Sequence, residues 1–397
     1  MAKLKRWASN VILILGGLVV GVFILEIGLR IAGISYPSFF DLDDHAGFAF
    51  RPGAEGWYRK EGEAYVRINS DGLRDREHSK AKPANTLRIA VLGDSFATAL
   101  EVPMENTFWS VMEQELEGCG ALSGQKVEVI NLGVDGYGTT QELITLHQRA
   151  WDYDPDLVLL AFFTGNDISD NSRALDQDPL RPYFIYRRGE LVLDASFLES
   201  ARYRARQTWY AQLGYRVVNT SRVLQLVNEA KNALEKYRIA QRRDLASDGV
   251  IEESSLDNTV YLEPADPVWA EAWQVTEGLI LMMRDEVMDK GADFLVVTLS
   301  NSIQVHPDPL VRKEFMESEG IQDLFYPDLR IKALGEHEGF SVLNLAQPFQ
   351  AYVEEHRVFL HGFENTTLGE GHWNTEGHRL AGQMISQTIC RQLLDDR

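Results

Sequence analysis

The chain has 397 residues, 45% hydrophobic and 25% charged, a composition of folded rather than disordered protein and enough for one large domain or two smaller ones. Its formal charge of −20 argues against nucleic acid as the main partner, because binding phosphates needs a basic face. The two cysteines, Cys119 and Cys390, form no Cys-x-x-Cys pair, so neither a zinc site nor a disulfide framework is implied and both read as small core residues.

Residues 1–34 read as an N-terminal membrane anchor. Lys3, Lys5 and Arg6 precede an uncharged stretch of 18 residues, Ala8 to Leu25, close to the ~20 that a spanning helix needs. A cleaved signal peptide, an uncleaved signal-anchor and a buried helix all pass this test. The length of the run and the lack of a small-x-small cleavage site favour the anchor. Basic residues ahead of the run and Asp41, Asp43 and Asp44 behind it place the N-terminus in the cytoplasm. The rest of the chain is then expected outside the cytoplasm, in a periplasm or at the cell surface.

Residues 35–86 hold Pro37, Pro52, Gly53 and Gly56 among aromatics, then an alternating Tyr65–Asn69 and a Ser70-Asp71-Gly72 turn. This predicts an extended arm leading onto the main body. From residue 87 the pattern alternates. Apolar runs at Leu87–Leu92, Val127–Asn131, Leu157–Phe163, Phe294–Leu299 and Ser341–Leu345 predict strands covered on both faces. Helical patterns at Thr107–Glu117, Thr139–Trp151, Ala270–Lys290, Asp328–Glu338 and Thr375–Leu393 lie between and after them. The fold class is therefore α/β: a flavodoxin-like three-layer α/β/α sandwich around a five-stranded parallel sheet. Residues 171–268 interrupt the alternation as a mainly helical insertion, opening with a hairpin at Tyr183–Leu193. Between 200 and 243 it carries ten Lys/Arg (Arg202, Arg204, Arg206, Arg216, Arg222, Lys231, Lys236, Arg238, Arg242, Arg243) against Glu229 and Glu235. That charge fits a solvated helix face, a cap over the site, or a patch for anionic lipid or acidic glycan.

The first apolar run stops at Gly93-Asp94-Ser95, which puts a serine on a strand-to-helix turn where open α/β sheets bind ligands. Alone, this is an ordinary turn in which Asp or Ser caps a helix. Three further signals follow strand ends or precede the last helix: Asn131-Leu-Gly-Val-Asp-Gly136, Gly165-Asn166-Asp167 and Glu370-Gly-His372-Trp373. Together they supply a serine hydrolase's parts. Ser95 is the nucleophile, His372 the base and Glu370 the acid orienting it, while Ser95 and Gly136 backbone N–H groups and the Asn166 amide form an oxyanion hole. A Ser-His dyad oriented by a backbone carbonyl is the alternative to Glu370. His378, six residues after His372, is a lesser candidate for the base; Asp94 and Asp167 read as turn braces and Trp373 as packing.

These four blocks resemble the SGNH/GDSL-type hydrolases, whose signature residues are Ser, Gly, Asn and His, here Ser95, Gly136, Asn166 and His372. The resemblance covers roughly residues 87–170 and 270–395 of the 87–397 domain, and implies the three-layer fold and acyl-ester chemistry. Asn69-Ser-Asp-Gly-Leu-Arg74 resembles the membrane-anchored branch. Where the family has Asp three residues before the histidine, this chain has Gly369, and Glu370-Gly-His372-Trp373 is similar to the Asp-x-His-Trp form of alginate O-acetyltransferase-like members. The expected activity is hydrolysis of O-acetyl or short-chain esters, with an acetylated carbohydrate as a candidate substrate and no metal or organic cofactor. An O-acyltransferase acting on an envelope polysaccharide and a non-catalytic glycan-binding component are the alternatives.

Overall fold

The computed structural model describes residues 2–122, 124–244 and 257–395. Residues 245–256 of the insertion, and the side chains of Glu235, Lys236, Arg238, Arg242 and Arg243, lie outside the described set. Helix α1 (Ala2–Ile31) contains the apolar stretch Ser9–Ile31, with a mean hydropathy of 2.7 and none of its most apolar window buried. Its length and composition fit a membrane span and fit a signal sequence equally.

Residues 40–67 form two antiparallel hairpins, β1 (Phe40–Asp43) with β2 (Gly47–Phe50) and β3 (Glu55–Tyr58) with β4 (Ala64–Arg67). The alternation in β4 is one of burial: Ala64 and Val66 face inward, Tyr65 and Arg67 outward. Phe39, Phe50, Val66 and Ile68 bury their apolar faces against Leu100, Val134, Tyr137 and Ile144, so the arm packs on loops that follow the central strands. After β4 the Asn69 carboxamide accepts from Asp71 N (3.0 Å) and Leu73 N (2.8 Å), folding the chain back. Buried Arg74 then donates to the carbonyls of Thr98 (2.7 Å) and Val102 (2.5 Å).

The body runs β5 (Thr86–Gly93), α2 (Ser95–Thr98), α3 (Phe108–Glu117), β6 (Lys126–Asn131), α4 (Thr139–Gln148), β7 (Leu157–Phe163) and α5 (Asp167–Asp170). The insertion contributes β8 (Tyr183–Arg187), β9 (Glu190–Asp194), α6 (Ala201–Gln207), α7 (Trp209–Thr220) and α8 (Arg222–Asp244). Then follow α9 (Pro267–Asp289), β10 (Asp293–Leu299), α10 (Pro309–Glu319), α11 (Tyr326–Glu338), β11 (Ser341–Asn344), α12 (Ala346–His356) and α13 (Thr375–Asp395). The five strands expected from the apolar runs pair in the order β11-β10-β7-β5-β6, all parallel. The chain direction across the sheet reverses beside β5, the switch point where such sheets leave a crevice at their carboxyl edge.

The unbroken apolar runs have a simple cause. Alternate residues serve two different cores. Ala90, Leu92, Leu160 and Val296 pack under α4 and α9, whereas Ile89, Val91, Leu159 and Val297 pack under α3, α12 and α13. Helices α10 and α12 were not among the segments the sequence pattern picked out. The cysteines require a correction: Cys119 and Cys390 are joined in a disulfide, their Cα atoms 5.9 Å apart across a sequence separation of 271. Packing of α3 against α13 over one face of the sheet brings them together, a tertiary event without a local sequence signature.

Candidate active site

Ser95 begins α2 at the end of β5, half-buried, with Asp94 as the N-cap. Asp94 accepts from Phe96 N (2.9 Å), the turn-bracing role its position suggested; burial pushes its pKa up to about 7. Glycines make the tight packing beneath this turn feasible. A Cβ on Gly93 would stand 2.8 Å, and one on Gly133 2.5 Å, from the Ala97 methyl.

His372 lies opposite. Its Nε2 is 2.9 Å from Ser95 Oγ, and its ring packs 5.1 Å from that of Phe96. The other ring nitrogen, Nδ1, is 2.6 Å from Oε2 of Glu61, and the backbone N–H of His372 donates to Oε1 of the same carboxylate (2.7 Å). Facing a carboxylate, Nδ1 carries the proton, so in the neutral ring Nε2 is the acceptor for the serine hydroxyl. Glu61 comes from the turn between β3 and β4. Asn365 fixes that turn, its carboxamide accepting from Gly62 N (2.9 Å) and donating to Gly62 O (2.9 Å).

This corrects the assignment of the acid. Glu370 is exposed, and the carboxylate bonded to His372 is that of Glu61; Gly371 has φ +73°, and a Cβ there would lie 2.3 Å from Glu61 Oε1. The likeness to the Asp-x-His-Trp spacing rested on Glu370 and has no counterpart in the geometry. His378 is likewise separate from the serine. It is buried, accepts from Phe108 N through Nδ1 (3.3 Å), and burial lowers its pKa to about 3. Trp373 is fully buried packing, its indole N–H bonded to Ser300 Oγ (2.9 Å).

Two more groups shape the electrostatics. Glu101, 4% exposed, has Oε1 3.9 Å from His372 Nδ1, while its Oε2 has no hydrogen-bond partner among the described residues. Burial raises its pKa to about 7. Burial opposes the imidazolium of His372, but Glu101 and Glu61 outweigh it and push the pKa upward, to about 10. Burial also opposes the charge on Glu61, and the His372 donors overcome it, leaving Glu61 below the usual carboxylate range. His361 stays neutral beneath them, bonded to Gly371 O (2.6 Å) and Ser300 Oγ (3.1 Å), with burial lowering its pKa to about 4.

Gly136 follows β6 with φ +82°, a conformation that favours glycine, and its carbonyl accepts from the Arg181 guanidinium (2.9 Å). Arg181 also pairs with Asp170 (2.9 Å) and Asp176 (2.9 Å), fixing the glycine turn to α5. Among the described residues the turn uses the N–H groups of Val134 and Tyr137 and leaves that of Gly136 without a protein acceptor. Asn166 stands at the N-cap position of α5 after β7 without a side-chain capping bond, and its side-chain oxygen is buried and unpaired among the described residues. Asp167 braces this turn by accepting from Phe163 N (2.7 Å). Ser95, Gly136 and Asn166 therefore follow three adjacent parallel strands at the same sheet edge. Glu61, Glu101 and His372 offer ligand-type atoms within 4.8 Å of one another. Both Glu61 oxygens are engaged by N–H donors, an arrangement suited to orienting the ring rather than binding a cation.

No protein-family model and no curated protein matches the sequence. Solved structures do show similarity. An acetyl xylan esterase aligns with 12% identity over 76% of this chain and 100% of its own, with a TM-score of 0.36. A GDSL-like lipase from Bacteroides thetaiotaomicron VPI-5482 aligns with 12% identity over 77% and 88%, TM-score 0.33. A lipase/acylhydrolase from Enterococcus faecalis aligns with 12% identity over 77% and 96%, TM-score 0.36.

Proposed function

We propose that the protein is a serine esterase of the SGNH/GDSL type, acting on short acyl esters, in which Glu61 rather than Glu370 orients the base. The observation carrying this reading is the Glu61–His372–Ser95 relay, with contacts of 2.6 Å and 2.9 Å. Ser95 Oγ attacks the ester carbonyl as His372 Nε2 takes its proton. Glu61 holds the Nδ1 proton and balances the imidazolium. The carbonyl oxygen, now an anion, receives hydrogen bonds from Ser95 N, Gly136 N and the Asn166 amide, donors held ready before the reaction. His372 then protonates the departing alcohol. Water, activated by the same imidazole, releases the acid.

The compartment belongs to the same proposal. Glu26 and Arg30 at the end of α1 bond to the α7–α8 junction, so α1 is built into the molecule, as an uncleaved anchor would be. The disulfide suits an oxidising, extracytoplasmic space. An O-acetylated envelope carbohydrate is the substrate class to try first. The deciding experiment is labelling with a fluorophosphonate, followed by acetyl esters and acetylated glycans with and without a sugar acceptor. The wild-type protein should be labelled and Ser95→Ala should not. Labelling that persists in Ser95→Ala removes the nucleophile assignment, and product that appears only with the acceptor makes the enzyme a transferase.

A further inference from the structure

We propose that α7, with the arginines of α6, is a membrane-interface platform whose exposed apolar face lies among the headgroups of the bilayer entered by α1, next to anionic phospholipid. The proposal rests on α1 being a retained span.

Helix α7 buries none of its side chains fully, yet it is not a polar helix. Trp209, Tyr210, Leu213 and Val217 are 76%, 62%, 53% and 47% exposed. Positions 209, 213 and 217 are spaced by four, so they form one stripe, with Tyr210 at its edge. Residues 201–220 contain Arg202, Arg204, Arg206 and Arg216 and no Asp or Glu, in a chain of charge −20. All four arginines are exposed. An aromatic and aliphatic stripe flanked by unpaired-sign cations suits the boundary of an anionic bilayer, where Trp and Tyr rings settle and Arg reaches phosphate.

Position makes the case specific. The charged end of α1 is tied to the α7–α8 junction: the Glu26 carboxylate accepts from Ser221 Oγ (2.9 Å), Arg222 N (3.1 Å) and Val223 N (3.1 Å), and Arg30 donates to Thr220 O (2.7 Å). Below that junction, Arg216 and Val217 line an open groove with Val19, Val22 and Phe23 of α1. Val19 is seven residues from Glu26, about 10 Å along the helix axis. The end of α7 therefore lies beside the apolar wall of α1 rather than above it, close to the ~5–10 Å depth of interfacial helices. If α1 enters a bilayer, the Val217 end of the stripe lies at its surface, and the proposal extends that placement along the stripe to Trp209.

The test uses the full chain in vesicles of phosphatidylcholine with and without phosphatidylglycerol. Because its two cysteines are joined, a cysteine introduced as Leu213→Cys takes a spin label selectively. Collision with oxygen and with a water-soluble nickel chelate is compared with labels at Val19→Cys and at Leu310→Cys, a 64% exposed site on α10. The proposal expects the 213 label to meet nickel several-fold less often than the 310 label. Phosphatidylglycerol should strengthen that protection, and the strengthening should fade when Arg202, Arg204 and Arg206 are changed to Gln. A lipid-protected 19 label beside a 213 label as nickel-accessible as 310 overturns the platform alone. An aqueous 19 label overturns the anchor and the platform together. Spin–spin broadening between 213 labels means that a second copy covers the face, which also overturns the proposal.

Discussion

At the scale of single residues, the two carboxylates beside His372 should be separable by experiment. Glu61 touches the imidazole directly, so Glu61→Gln should lower kcat by roughly 10²–10⁴ with little change in KM, because it disturbs the tautomer and charge of the base. Glu370→Gln, at an exposed side chain, should stay close to wild-type turnover. Steady-state kinetics on one ester decides between them. Glu101 acts at a distance of 3.9 Å and should show itself in pH dependence. Turnover needs neutral His372, whose pKa is raised above its ordinary value, so activity should climb with pH as the ring loses its proton. Replacing Glu101 by Gln removes one charge holding that proton. The rising limb of kcat/KM should then move to lower pH, whereas a purely structural defect would lower the whole profile without moving it. The places of Ser95, Gly136, Asn166 and His372 were readable in the sequence because each sits where a strand ends or a helix begins, in company with turn-forming residues. Glu61 was not, since its partner is 311 positions away and no periodicity links them. The nearest available signal was Gly371, where glycine is needed for the carboxylate to approach.

At the scale of elements, the strands were legible because burial on both faces leaves continuous apolar runs, and β5, β7 and β10 each divide their side chains between two cores. Helices α10 and α12 escaped notice, α10 with only Arg312 and Phe315 buried and α12 with only Ala346, Phe349 and Val353 buried. The turn carrying Glu61 is held less by hydrophobic burial than by Asn365 and by a pair of glycines. Gly371→Ala should therefore damage activity more than stability. The added methyl meets the Glu61 carboxylate at 2.3 Å in a backbone conformation that L-residues rarely adopt. We expect at least a tenfold loss of kcat/KM, and a melting temperature within a few degrees of wild type by calorimetry.

At the scale of the whole molecule, the Cys119–Cys390 disulfide closes a loop of 271 residues, which on chain-entropy grounds contributes roughly 5 kcal/mol relative to the open chain. Substituting both cysteines by serine should lower the thermal midpoint by several degrees. The relay lies away from both cysteines, so turnover per folded molecule should be retained, and thermal denaturation alongside active-site titration separates the two effects. The origin of the acid in the arm has a larger consequence. A sheet domain beginning at Thr86 could still bring serine and histidine together, but it would lack the carboxylate. On the proposed reading, scission of the β3–β4 turn after Glu61 should lower turnover while the sheet stays folded, which active-site titration beside circular dichroism would show. The chemistry therefore depends on a hairpin that lies outside the sheet domain and is joined to it by the contacts of Asn365 and His372.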